Sequence, residues 1–262
     1  MQNTLFLNNV TLIAPGADEG RDLADTLRSG EFLLPEEGWK AAPDCLPPRS
    51  RRRLSPQTLL AISVAERLNP SLSQDAAWVF ASAYGEGETL KVILDALRTP
   101  EMAIRPLRFQ NSVHNAASGQ WTIAAGIRSA ATSICGSDCT VGAGLLKTFM
   151  QAKLEDRPVG LVMYDTPLPF PLSTSHRLTV PAGIGMAFST KQSPNAKAAI
   201  EFSLCDTPHS AVLTEGAKKA LATRNPVFSA LPLLERISGI GEGEVVLQLN
   251  GGSGLRTKIT RL

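Results

Sequence analysis

Residues 133–142 read SICGSDCTVG, two cysteines four apart with an acid between them and glycines on either side. Upstream, Ala131 to Cys135 reads as a short strand. Downstream, Cys139 to Leu154 reads as a helix with Val141, Leu145, Leu146 and Phe149 on one side. A strand that runs through a tight turn straight into a helix aims one side chain at the helix N-terminus, where free N–H groups and the helix dipole favour negative charge. Thiolates and oxyanions both gain from that position. The residue at the apex therefore decides the chemistry.

Outward from this turn the chain alternates. AAWVFASAY at 76–84, VGLVMY at 159–164 and GIGMAF at 183–188 are almost continuous apolar runs, the pattern of strands buried on both faces. Helices are expected from Ser55-Pro56 to Asn69-Pro70, with Leu59, Leu60, Ile62, Ala65 and Leu68 at helical spacing, and over Glu88 to Arg98 and Ser112 to Ile127. Residues 4–14 begin the chain as a strand. A helix around Phe228 to Ile237, then VVLQL at 245–249 and RTKIT at 256–260, close it. This alternation predicts an α/β sheet layered with helices in one domain over residues 1–262. Gly16 to Arg53 is polar and Pro-rich and is expected as a surface excursion holding one short helix near Arg21 to Arg28.

Composition narrows the class. A 262-residue chain with 43% hydrophobic residues can bury a sizeable core, and a formal charge of +2 is no field for nucleic acid. No run of 18 apolar residues offers a membrane span, and the N-terminus lacks the basic and apolar regions of a signal peptide, so the cytoplasm is the default. Cys45, Cys135, Cys139 and Cys205 show neither metal-ligand spacing nor a disulfide framework, so no metal or cofactor is expected. The one dense basic run, Arg49 with Arg51, Arg52 and Arg53, is either a solvated helix cap or a docking patch for an acidic partner.

The stretch NAASGQWTIAAGIR at 115–128 resembles the helix before the nucleophile elbow of β-ketoacyl synthases, enzymes of the thiolase-like fold. Asn115, Gly119, Thr122, Ile123 and Gly126 match; Ser129 stands where a glycine is usual. Counting forward, or back from the strand at 159–164, the resemblance puts the family's catalytic cysteine at Asp138 and on neither Cys135 nor Cys139. The elbow is then present with its nucleophile replaced. Asp138 reads first as an N-cap of the helix it opens, with recognition in a remnant pocket or catalysis as alternatives. The family's two catalytic histidines and lysine have no counterpart, because His114, His176 and His209 stand in other contexts. His114 reads as a packed or hydrogen-bonded structural histidine, and the other two as solvated loop residues.

The wider pattern, RRRLSP at 51–56, FQNSVHNAASGQW at 109–121 and the Asp turn, resembles short N-terminal-half ketosynthase homologues, the chain-length-factor-like subunits of aryl polyene and related fatty-acid-like polyketide pathways. The resemblance implies a thiolase-like half and a heterodimer with a full-length ketosynthase. Ketosynthases pair the strand before the nucleophile across a two-fold axis, which is Ala131, Ser133 and Cys135 here, while the loop Arg108 to Val113, with Arg108, Phe109 and Asn111, reaches to the partner. It further implies that Phe109 and Trp121 shape an acyl tunnel, and that Arg51, Arg52 and Arg53 steer an acidic acyl carrier protein. A stand-alone enzyme using Cys139, or a homodimeric acyl-binding scaffold, are the rival expectations.

Overall fold

The computed structural model describes residues 3–17, 22–29, 38–99, 103–176, 178–206 and 223–262. The strands are β1 (Thr4–Ile13), β2 (Ala77–Ala81), β3 (Ala131–Ile134), β4 (Val159–Asp165), β5 (Ala182–Ser189), β6 (Ala198–Asp206), β7 (Val245–Gln248) and β8 (Ser253–Arg261). They form one eight-stranded sheet in the order β3-β2-β4-β5-β1-β6-β8-β7. β2 runs parallel to β3 and β4, and the remaining pairings are antiparallel. The apolar runs read from the sequence are the central strands: every residue of β2 and β4 is buried, and all of β5 but its last.

Helices cover both faces. On one lie α3 (Pro56–Leu68) and α6 (Ala116–Ala125), packed with Trp78, Phe80, Val162 and Tyr164 of the sheet. Ser55 starts α3, its hydroxyl accepting the Thr58 N–H at 3.0 Å, and Pro56 opens the first turn. Gly185 lets this helix sit directly on the sheet: a Cβ there would stand 2.7 Å from Val64 Cγ1 and 2.8 Å from Leu68 Cδ1. On the other face lie α7 (Thr140–Glu155) and α8 (Leu231–Ile237), with a 3₁₀ turn at Pro226–Ala230 before α8.

α7 is held from two sides. Val141, Leu145, Thr148 and Ala152 are buried; the helix touches β2 and β4 on one side and β7 and β8 on the other. At Gly142 the end of β7 comes so close that an added Cβ would run into the Gln248 carbonyl oxygen. The three C-terminal strands thus wrap onto the helix that follows the elbow.

Five points of the sequence reading change. β6 was missed, although Ala198, Ile200 and Phe202 alternate as buried against exposed Glu201 and Ser203. The helix expected from Ser112 starts only at Ala116, and the supposed loop from Arg108 begins inside a separate short helix, α5 (Pro106–Gln110). The 16–53 excursion is more than surface: α1 (Leu23–Ser29) buries Leu27 in the core, Ala41 and Leu46 are buried, and α2 (Pro48–Arg51) carries part of the basic run. His114 is exposed, where a packed or hydrogen-bonded structural histidine was expected. His209 and Arg21 lie outside the described residues.

Candidate functional site

β3 ends at Ile134, and residues 135–139 turn into α7 through a 3₁₀ turn at Ser137–Cys139. The turn is tight enough to force Ser137 to a φ of 49°, in the left-handed region that costs a non-glycine residue. Gly136 is buried beneath it; a Cβ there would stand 3.1 Å from Ala143 Cβ. The Thr140 hydroxyl accepts the Gly136 N–H at 3.1 Å and donates to the Ser137 carbonyl at 2.6 Å, tying the turn to the first residue of α7.

Asp138 is exposed on this turn and does not cap α7, which corrects the N-cap reading. The helix begins at Thr140, and the intervening 3₁₀ turn moves the carboxylate out of reach of its first N–H groups. Instead Asp138 Oδ1 accepts the Tyr84 hydroxyl at 2.9 Å. Burial, then the hydrogen bond to Asp138, raises the Tyr84 phenol above its usual range, so it stays a donor. His176 stacks on the Tyr84 ring with centroids 4.3 Å apart. The apex is therefore a carboxylate, a phenol and an imidazole in a row.

The two thiols beside the apex differ. Cys135 is exposed and its Sγ donates to the Ala83 carbonyl at 2.9 Å. Cys139 is buried, and burial followed by the Asp138 charge raises its thiol above the ordinary value. A nucleophilic cysteine needs the opposite shift.

Tyr84 is placed by a buried polar hub that sequence reasoning missed. Asp165, at the end of β4 and fully buried, accepts the Ala83 N–H at 2.9 Å, the Ser82 hydroxyl at 2.8 Å and the Gln57 amide at 3.3 Å. Burial pushes its carboxyl up to about 6 despite these donors. Gln57 Oε1 accepts from the Thr166 N–H and hydroxyl, both at 2.7 Å. Asn225 donates to the Asp165 and Val180 carbonyls at 3.1 and 2.7 Å. An acid ending an otherwise apolar strand, VGLVMYD, was the available signal.

β3 is a terminal strand of the sheet. Trp78 N–H donates to the Ala130 carbonyl and Ser82 N–H to the Ile134 carbonyl. In a parallel ladder alternate residues face the same neighbour, so Ala130, Thr132 and Ile134 bond β2, and the backbone groups of Ala131 and Ser133 face outward. Ser133 Oγ also lies 2.9 Å from Ser118 Oγ of α6, while Cys135 falls beyond the strand end. α4 (Gly87–Arg98), α5 and α6 expose Leu90, Leu94, Leu97, Leu107, Phe109 and Ile123, the last at 77%.

The other sequence candidates separate. Arg52, Arg53 and Arg108 are exposed and Arg51 half-buried. Asn111 is turned inward, its amide donating to the Arg53 carbonyl at 3.1 Å, so it joins α5 to the basic run rather than facing outward. Trp121 is 1% exposed and packs edge-on against Trp78 at 5.1 Å. It belongs to the core between α6 and the sheet. Among the described residues no cluster of three His, Cys, Asp or Glu could hold a metal ion, and no helix is long and apolar enough to cross a membrane.

The fold is found in known structures. The chain is similar to a chain of the complex of the ketosynthase ApeO with its chain length factor ApeC from Xenorhabdus doucetiae, with a TM-score of 0.71 and 22% identity over 97% of this chain and 99% of that one. The ishigamide ketosynthase/chain length factor gives a TM-score of 0.71 at 12% identity over 99% of each chain. The AntDE:AntF assembly, a type II PKS acyl-carrier protein in complex with its ketosynthase bound to the hexaketide, gives 0.70 at 13% identity over the full length of both. No curated protein sequence matches the chain. Residues 28–238 match the beta-ketoacyl synthase N-terminal domain. With the elbow and the sheet, that match establishes that the chain belongs to the family of the beta-ketoacyl synthase N-terminal domain.

Proposed function

We propose that the chain is a noncatalytic, chain-length-factor-like partner of a full-length β-ketoacyl-ACP synthase. The observation that carries this reading is an intact elbow whose apex holds Asp138, engaged by Tyr84, where a nucleophile would have to be free. A carboxylate is a poor acyl acceptor from a thioester, because the mixed anhydride lies uphill and hydrolyses readily. Cys139, buried and held as a thiol, is no substitute.

The open strand supports a heterodimer. An unpaired edge with exposed leucines around it is a liability that proteins cover, and a ketosynthase presenting the same strand is the natural cover. Similar chains in the ApeO–ApeC and ishigamide structures come from complexes of a ketosynthase with a chain length factor. In this reading Ala131 and Ser133 pair with the partner strand, Arg108 lies at the interface, and Phe109, 65% exposed on α5, enters the partner's acyl tunnel. Trp121 acts from behind, by setting the position of α6. Arg51, Arg52 and Arg53 steer an acidic acyl carrier protein through a salt-sensitive encounter. The product is a fatty-acid-like polyketide of the aryl polyene kind, made in the cytoplasm.

Reconstituted elongation tests the tunnel role: Phe109→Ala in the complex should shift products towards longer chains with the total rate kept within about threefold. An unchanged product distribution would remove Phe109 from the tunnel.

A further inference from the structure

A cavity of about 730 Å³ opens beside α7, lined by Ala143, Leu146, Lys147, Leu204, Leu249 and the Asp206–Asn250 rim. It starts under the elbow, since Ala143 is the residue against which Gly136 packs. Its other walls are the end of β6 and the turn between β7 and β8, strands at the far end of the sheet order from β3. The volume lies within the roughly 300–1,000 Å³ of small-molecule sites.

Two features say what fits. Leu146, Leu204 and Leu249 give an apolar wall, and Leu204 stays 67% exposed although its strand neighbour Phe202 is buried against Phe149. Lys147 sits half-buried in the same wall, one helical turn from Ala143 and next to Leu146, and among the described residues no acid lies within ion-pair distance of its ammonium. Asp206 lines the cavity too but does not pair with it. The Cys205 sulfur is already engaged, 3.6 Å from the Gly254 carbonyl. A half-buried cation with no counter-ion among the described residues, beside a leucine wall, is complementary to an amphiphile with an anionic head and a hydrocarbon tail.

We propose that this cavity binds a linear aliphatic carboxylate, with Lys147 pairing the carboxylate and Leu146, Leu204 and Leu249 covering the chain. The site is separate from the β3 edge, and its occupancy does not depend on whether the chain pairs with a ketosynthase.

Calorimetric titration of the full chain, or of its complex, with decanoate below its micellar concentration and with decan-1-ol as the neutral control decides it. Saturable 1:1 binding of decanoate is expected, at least tenfold tighter than decan-1-ol. Lys147→Met should weaken decanoate about tenfold and leave decan-1-ol unchanged; Leu204→Glu should weaken both. Neither side chain has a polar partner among the described residues, so the variants should keep the wild-type urea midpoint. Absence of saturable binding, equal affinity for acid and alcohol, or decanoate binding indifferent to Lys147→Met would each overturn the assignment.

Discussion

Ala131→Pro separates the two edges of β3. The N–H of residue 131 faces outward, whereas that of Thr132 bonds β2, so proline at 131 leaves the sheet's own ladder intact. Its fixed φ suits an extended edge strand. In a complex paired along this edge, the partner carbonyl facing residue 131 loses its donor, at about 1–3 kcal/mol. The pyrrolidine ring also enters the gap between strands only about 4.8 Å apart, which favours the upper part of that range. A loss of about 2–3 kcal/mol is roughly a 30- to 140-fold weaker complex. Sedimentation of labelled chain against the ketosynthase measures the affinity, and urea unfolding of the isolated variant measures the fold. Thr132→Pro should show the converse, with folding stability down by about 1–3 kcal/mol. If Ala131→Pro binds the ketosynthase within threefold of wild type, or unfolds like Thr132→Pro, β3 is not the pairing edge or the register is misassigned.

Gly142→Val should lower unfolding free energy by about 1–3 kcal/mol, because the side chain has to displace the backbone at Gln248, and the loss should appear as a lower urea midpoint. Asp165 makes stability pH-dependent: its folded carboxyl binds a proton up to about 6, while unfolded aspartate releases it near about 4. Its contribution is therefore full below about pH 4 and is lost as pH rises through about 6, by up to about 3 kcal/mol. Asp165→Asn should flatten that part of the pH profile of thermal unfolding; a slope unchanged by the substitution would assign it to other groups.

The core of the fold was open to reading because its central strands are buried on both faces. AWVFA, VGLVMY and GIGMAF carry no polar interruption, so their type and position follow from composition alone. β6 was harder: its outer half is exposed, and Ser203, Leu204 and Asp206 dilute the alternation of Ala198, Ile200 and Phe202. At the site, spacing placed Asp138 at the turn but could not foresee its partner. Tyr84 arrives from the bend after β2, more than fifty residues earlier, positioned by Asp165 at the end of β4, and such long-range hydrogen bonds leave no local pattern. The failed N-cap has a local cause, the extra 3₁₀ turn that delays α7 to Thr140. Trp121 was legible as large and apolar, but its burial depends on Trp78 across the α6–sheet contact.

Whether the chain serves a ketosynthase without doing chemistry itself is decided most directly by co-expressing it with a full-length ketosynthase. The stoichiometry is read by light scattering, and elongation is assayed with wild-type chain and with Cys139→Ala. A 1:1 complex that elongates at an unchanged rate with Cys139→Ala is the expected result. A stable homodimer that ignores the ketosynthase, or elongation lost with Cys139 while the complex persists, would contradict it and return the chemistry to this turn.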